Sequence, residues 1–271
     1  MMVRALRALW RMLCVTLHVL RGWVILLGRF PRLTLSERQS EVQAWSAHLL
    51  SILGLQIKVQ GKFPPPSQSV LVVANHVSWL DVAALHAVMP QARFVSKADV
   101  HHWPIIGGLC VAVRTLFIER ERKRDALRVV HEMVGALTEG DTVAVFPEGT
   151  TTDGHTLRPF HANLLQAAIS AGRPVQPVAL RFSDSVHAIS PVVEYTGDIS
   201  LLGSLCRLLW ASELQVSVVA CELIESAHRE RRDLARLCQE RIQRQLDAEG
   251  TIAAAPSDLV LSSASLGRRV G

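Results

Sequence analysis

Short, mostly apolar runs rich in β-branched residues recur along this chain with helix-length stretches between them. Residues 70–74 read VLVVA, and 93–96, 115–119, 142–146, 175–181 and 215–221 are of the same kind. Runs that do not alternate apolar with polar suit strands buried on both faces. Between them, residues 79–88, 124–139, 163–171 and 229–246 carry apolar side chains at three- and four-residue steps. Buried strands alternating with helices predict an α/β fold, a mostly parallel sheet flanked by helices. At 271 residues one substantial core suffices.

Two helical patterns precede the first strand. In the first thirty residues Arg4, Arg7, Arg11, His18 and Arg29 fall within a sector of roughly 60° at ~100° per residue, with Leu6, Leu13, Leu17, Leu20, Val24 and Leu27 opposite. No uninterrupted apolar stretch reaches the ~18 residues of a clean spanning helix. The pattern predicts a helix lying in a membrane interface, apolar face in acyl chains and basic stripe towards phosphates. A spanning helix and a helix packed on the protein's own core are the competing readings. A cleaved signal peptide fits poorly, because arginines run through the apolar region. Pro31 ends this segment, Ser36 starts the second helix, and Gly54 stops it. The expected organisation is a membrane-associated helical hairpin over 1–54, a main domain over 55–250, and a disordered tail of small and polar residues over 251–271.

Charge narrows the partners. The net charge of +5 and the pI near 9.3 favour polyanions. With one Tyr and six Trp there is little from which to build a base-stacking platform, so a membrane surface or a phosphate group is expected rather than nucleic acid. The five cysteines are widely spaced, with no CxxC pair, and read as reduced core residues of a cytosolic compartment. His101-His102 makes a poor metal site, since adjacent side chains diverge and no third ligand is spaced nearby.

Chemistry is expected where strands end. Asn75-His76-Val77-Ser78-Trp79-Leu80-Asp81 follows the first apolar run, and loops after strand carboxyl ends are where α/β sheets bind ligands. Ser78 is a good N-cap, which would place Asp81 in the first helical turn. A pair five residues apart does not face itself within a helix. The turn must therefore fold the Asp81 carboxylate back onto the His76 ring, fixing its tautomer and leaving the other nitrogen as a general base. A second strand-end loop reads Phe146-Pro147-Glu148-Gly149-Thr150-Thr151, and a third run ends at Arg120, where a guanidinium could meet a phosphate.

Taken together and in order, the NHxxxxD block (Asn75 to Asp81), the FIxR block (Phe117 to Arg120), the FPEGT block (Phe146 to Thr150) and Val175-Gln176-Pro177-Val178 resemble the glycerolipid acyltransferase family, over about 54–224. The resemblance implies that His76 is the catalytic base and Asp81 its orienting partner. It implies that Arg120 contacts the acceptor's phosphate, that Glu148, Gly149 and Thr150 help to position the acceptor, and that Pro177 belongs to the acyl-donor side or to structure. It further implies an acyl-CoA or acyl carrier protein donor, a lysophospholipid acceptor, no metal or prosthetic group, and a place on the cytoplasmic face of the inner membrane. The expected reaction is acylation of 1-acyl-glycerol-3-phosphate to phosphatidate.

Two departures bear on the acceptor. Arg114 stands where the second block commonly begins with Gly, and Thr151 follows EGT where the family commonly has Arg. Lys97, Arg114 or Arg158 could supply the missing charge. Otherwise the acceptor carries another headgroup, as in lyso-ornithine lipid acylation. A lipid hydrolase using His76 to activate water, and a non-catalytic basic membrane-binding protein, are the rival classes.

Overall fold

A computed structural model describes residues 2–118 and 123–254. Arg120 lies outside the described residues, as does the tail from 255 onward. Helices α1 (Met2–Gly28) and α2 (Leu35–Ile52) form the N-terminal pair. The main domain then runs β1 (Leu55–Gln60), β2 (Leu71–Ala74), α3 (Leu80–Val88), β3 (Ala92–Lys97), α4 (Ile106–Ala112), β4 (Leu116–Ile118), α5 (Lys123–Thr138) and β5 (Thr142–Val145). It continues through α6 (Gln166–Ala171), β6 (Val175–Ser183), α7 (Leu201–Trp210), β7 (Leu214–Ala220) and α8 (Arg231–Ala254).

Among the described residues the strands form one seven-stranded sheet, ordered β1-β7-β6-β2-β5-β3-β4. All neighbouring pairs are parallel except β6–β7. This is the α/β architecture expected, with β7 and β1 running against the other five strands. The six apolar runs supply six of the seven strands. The unpredicted one, β1, is a sheet edge whose sequence LQIKVQ alternates apolar with polar residues, so no continuous apolar run marks it. Helices α4 and α7 were also unpredicted, being short and interrupted by Gly107-Gly108 and Gly203.

Successive strand residues point to opposite faces and split the core in two. Val72, Ala74, Ala144, Val178 and Leu180 pack with α1, α2, α3 and α7. Leu71, Val73, Val143, Val145 and Ala179 pack under α5, α6 and α8. Strand β2 sits at the centre, with β6 on one side and β5 on the other. Its carboxyl end is the point where the chain's crossovers diverge, and there a crevice is built into the topology.

Helix α2 begins one residue before Ser36, where its pattern suggested a start. Thr34 and Glu37 form a capping box, in which Glu37 N–H donates to Thr34 Oγ1 at 3.4 Å and Thr34 N–H to Glu37 Oε2 at 2.8 Å. Gly22 permits close approach of α1 to α2, because a Cβ there would lie 2.7 Å from Trp45 Nε1. His18 Nε2 donates to Trp45 O at 3.0 Å, and Trp45 Nε1 donates to His18 O at 3.4 Å. The basic stripe of α1 was expected to face lipid phosphates; this is corrected for Arg7, Arg11 and His18, while Arg4 and Arg29 are exposed. Arg11 Nη1 donates to Ala211 O at 2.6 Å and Arg7 Nη2 to Trp210 O at 3.3 Å, satisfying carbonyls at the C-terminal end of α7. His18 is buried against α2. The opposite face, with Leu6, Leu9, Leu13, Leu17, Leu20 and Leu27, is exposed. Helix α1 is long and apolar enough to cross a membrane, with only 17% of its most apolar 18-residue window buried.

Candidate active site

Two loops after strand carboxyl ends, those following β2 and β5, meet beside β2. Asn75 ends the strand by substituting its side chain for backbone pairing. Its Nδ2 donates to Leu180 O at 2.9 Å, and its Oδ1 accepts Leu180 N–H at 2.8 Å, continuing the β2–β6 ladder beyond Ala74. The next residue, His76, is therefore launched from a fixed point.

The His76 ring is held on its edge and on its face. Nδ1 lies 2.7 Å from Asp81 Oδ2, and the ring stacks on Phe146 at 4.0 Å between centroids, 10° from parallel. The same Asp81 oxygen accepts Val77 N–H at 2.7 Å and Ser78 N–H at 2.9 Å. An oxygen surrounded by backbone donors is an acceptor, so Nδ1 carries the proton and the Nε2 lone pair is available. Nε2 makes no hydrogen bond among the described residues, and the side chain keeps 20% exposure beside a wholly buried Asp81. The expectation for Ser78 is corrected here. Its hydroxyl is buried without a partner and does not cap α3, whose N-cap is Trp79. The Asp81 carboxylate bonds the backbone ahead of the helix instead.

The loop after β5 grips the His76 backbone from both sides. His76 N–H donates to Glu148 Oε1 at 2.8 Å, and Thr152 N–H donates to His76 O at 2.8 Å. The second Glu148 oxygen accepts Arg158 N–H, also at 2.8 Å. Glu148 is buried, and burial pushes its carboxyl above the ordinary value, while the N–H donors of Arg158 and His76 pull it back. Gly149 has φ +74°, and a Cβ there would lie 3.2 Å from the His161 ring, so the turn favours glycine on both counts.

The structure sorts the remaining predicted positions. Thr150 is exposed on the site loop, and Lys97 ends β3 on the same edge of the sheet, paired with Asp99. Arg158 is exposed beside that loop. Arg114 is elsewhere. It precedes β4 at the opposite edge, its guanidinium 3.0 Å from Asp141, which also binds Arg93 at 2.7 Å. Pro177 is buried inside β6, opposite Val73, and does not reach the strand-end edge. The roles of Asn75, Phe146 and Thr152 were not predicted. Asn75 and Phe146 lie in noticed blocks and Thr152 just beyond one, but ring stacking and backbone clamping leave no mark in spacing.

A cavity of about 270 Å³ lies between the N-terminal helices and the main domain, walled by Ile25, Leu49, Trp79, Val82, Phe94 and Leu109. Phe94 also stacks on Phe146 at 5.8 Å, so one ring separates this apolar cavity from the one that carries His76.

An acyltransferase family model matches residues 56–181, which contain both loops. A lyso-ornithine lipid O-acyltransferase of Pseudomonas aeruginosa is 38% identical over 227 residues, 83% of this chain and 85% of the relative. The chain belongs to the lysophospholipid acyltransferase family. A second lyso-ornithine lipid O-acyltransferase, from Rhizobium meliloti, is 33% identical to this acyltransferase over 79% of the chain and 77% of the relative. A 1-acyl-sn-glycerol-3-phosphate acyltransferase of Neisseria gonorrhoeae is 35% identical over 67% and 70%. The fold of this acyltransferase matches the crystal structure of the 1-acyl-sn-glycerophosphate acyltransferase PlsC from Thermotoga maritima with a TM-score of 0.73, at 19% identity, over 94% of this chain and 98% of that one.

Proposed function

We propose that this acyltransferase moves a fatty acyl group from a thioester donor to the free hydroxyl of a lyso-ornithine lipid, with His76 as general base. The observation that carries the mechanism is the 2.7 Å contact between His76 Nδ1 and Asp81, with Nε2 left unengaged on a partly exposed ring. Nε2 takes the hydroxyl proton as the acceptor oxygen bonds to the thioester carbonyl carbon. The tetrahedral intermediate collapses, the C–S bond breaks, and the departing thiolate takes the proton back from the imidazolium. Asp81 stabilises that imidazolium while it lasts. The transfer as written draws on no metal or prosthetic group. The narrow apolar cavity behind Phe94 suits an acyl chain, whose thioester end would then lie near His76.

Two observations support the acceptor. The relatives from Pseudomonas aeruginosa and Rhizobium meliloti bear that activity in their names, and Thr151 stands after Glu148-Gly149-Thr150 where an arginine would favour a simple phosphate. Arg114, a candidate replacement for that charge, is held at the far edge of the sheet by Asp141. The second reading, formation of phosphatidate from 1-acyl-glycerol-3-phosphate, is favoured by the Neisseria gonorrhoeae relative, with Lys97, Arg158 and Arg120 to meet the phosphate. In either case α1 attaches the enzyme, apolar face in the lipid, to the cytoplasmic face of the membrane from which the acceptor is drawn.

The test is transfer of labelled acyl groups, from acyl-CoA and from acyl carrier protein, to each acceptor in mixed micelles. His76-dependent acylation of lyso-ornithine lipid is expected. Product only from 1-acyl-glycerol-3-phosphate would exchange the two readings, and fatty acid released without any acceptor would favour a hydrolase.

A further inference from the structure

Helix α8 carries Arg232, Arg236 and Arg244 along one wall of an open groove of about 650 Å³, whose other wall is Pro159, Phe160 and Ala162. The three arginines spread over ~18 Å of helix at ~1.5 Å per residue. All are exposed, and Arg236 is also paired with Glu240 at 2.6 Å. The groove is joined to the active site through its loop wall. Phe160 N–H donates to Gln239 Oε1 of α8 at 3.2 Å, while Arg158 N–H binds Glu148 and His161 N–H binds Pro147 O at 2.9 Å. The segment 158–161 thus forms the groove on one side and anchors the residue that holds the His76 backbone on the other. Helix α8 also packs on the sheet face opposite to α1. A molecule in the groove reaches the strand ends from the side away from the exposed apolar helix.

We propose that this groove docks an acidic carrier protein bearing the acyl group as a thioester, so that the donor arrives from solvent while the lipid acceptor arrives from the membrane. The inference rests on the acyl-transfer reading above. A row of arginines along three helical turns matches an extended acidic surface. A nucleotide site would need cationic groups that converge on its phosphates, and these diverge along the helix. The carrier's thioester arm enters past Pro159 and Arg158 towards Nε2 of His76.

The experiment measures acyl-transfer kinetics of wild type, R232E/R244E and the charge-conserving R232K/R244K with two donors, acyl carrier protein and acyl-CoA. The expected result is a rise of about ten-fold in KM for the carrier protein in R232E/R244E, an unchanged kcat, unchanged kinetics with acyl-CoA, and near-normal behaviour of the lysine variant. An unmoved KM for the carrier protein overturns the proposal. So do equal losses with both donors, which would mark a structural role, and a wild type that uses CoA thioesters alone. A wild type that transfers from neither donor overturns the acyl-transfer reading instead. Binding of unacylated carrier protein to wild type and R232E/R244E, measured by calorimetry, then still decides the groove: equal affinity, or no affinity, rejects it.

Discussion

Asp81 holds the His76 ring and the backbone just beyond it with a single oxygen, Oδ2, which lies 2.7 Å from His76 Nδ1 and accepts the Val77 and Ser78 N–H groups. The two residues are therefore separable by experiment. His76→Ala removes the proposed base and its stack on Phe146 but leaves Asp81 its two backbone donors, so acyl transfer should fall by ~10²–10⁴-fold with a smaller drop in melting temperature than in Asp81→Asn. Asp81→Asn should lower both, because a neutral amide oxygen in the place of Oδ2 accepts the same N–H groups more weakly than a carboxylate and cannot stabilise the imidazolium. Steady-state rates beside thermal melts distinguish the two, and an undiminished rate in His76→Ala would remove it from the mechanism.

Glu148→Gln should cost about 1–3 kcal/mol, since one of two buried N–H groups, of His76 or Arg158, would face an NH₂ group. Urea denaturation gives the stability change. The accompanying loss of activity should appear in kcat, because the displaced backbone is that of His76.

His86 makes folding sensitive to acid. It is buried, Nε2 donating to Ala92 O at 3.1 Å, and burial lowers its pKa from 6.5 to about 4. The folded state keeps the ring neutral while the unfolded chain accepts a proton, so its stabilising contribution is present above pH 6.5 and is lost as pH falls towards 4. Between pH 7 and 5 the loss should be ~2 kcal/mol. His86→Gln, which can still donate to Ala92 O, should flatten that slope in denaturation curves collected across this range.

Helix α1 offers a test of attachment that leaves the active site untouched. Leu13→Glu and Leu20→Glu lie on its exposed face and should weaken binding to anionic vesicles without lowering the melting temperature. Arg11→Ala should do the reverse, since Arg11 binds carbonyls of α7 rather than lipid. Co-sedimentation with vesicles and thermal melts, run on the same preparations, read both. A vesicle-binding loss in Arg11→Ala as large as in Leu13→Glu would return the basic stripe to the membrane.

Linear order alone carries the α/β class, six of the seven strands, and the strand-end positions of His76, Asp81 and Glu148. Buried strands must be continuously apolar, and ligands collect where parallel strands end, so both are written in linear order. The edge strand β1 escaped because exposure on one side restores ordinary alternation. What each polar group does was settled by the folded arrangement. It turned Arg7 and Arg11 inward to α7, placed Arg114 with Asp141 across the sheet from His76, and set Asp81 against the Val77 and Ser78 N–H groups while the Ser78 hydroxyl caps nothing. A guanidinium or carboxylate can meet any partner that folding brings within about 3 Å. The choice among carbonyl, carboxylate and lipid phosphate depends on strand order and helix packing, and neither is visible in the spacing of residues along the chain.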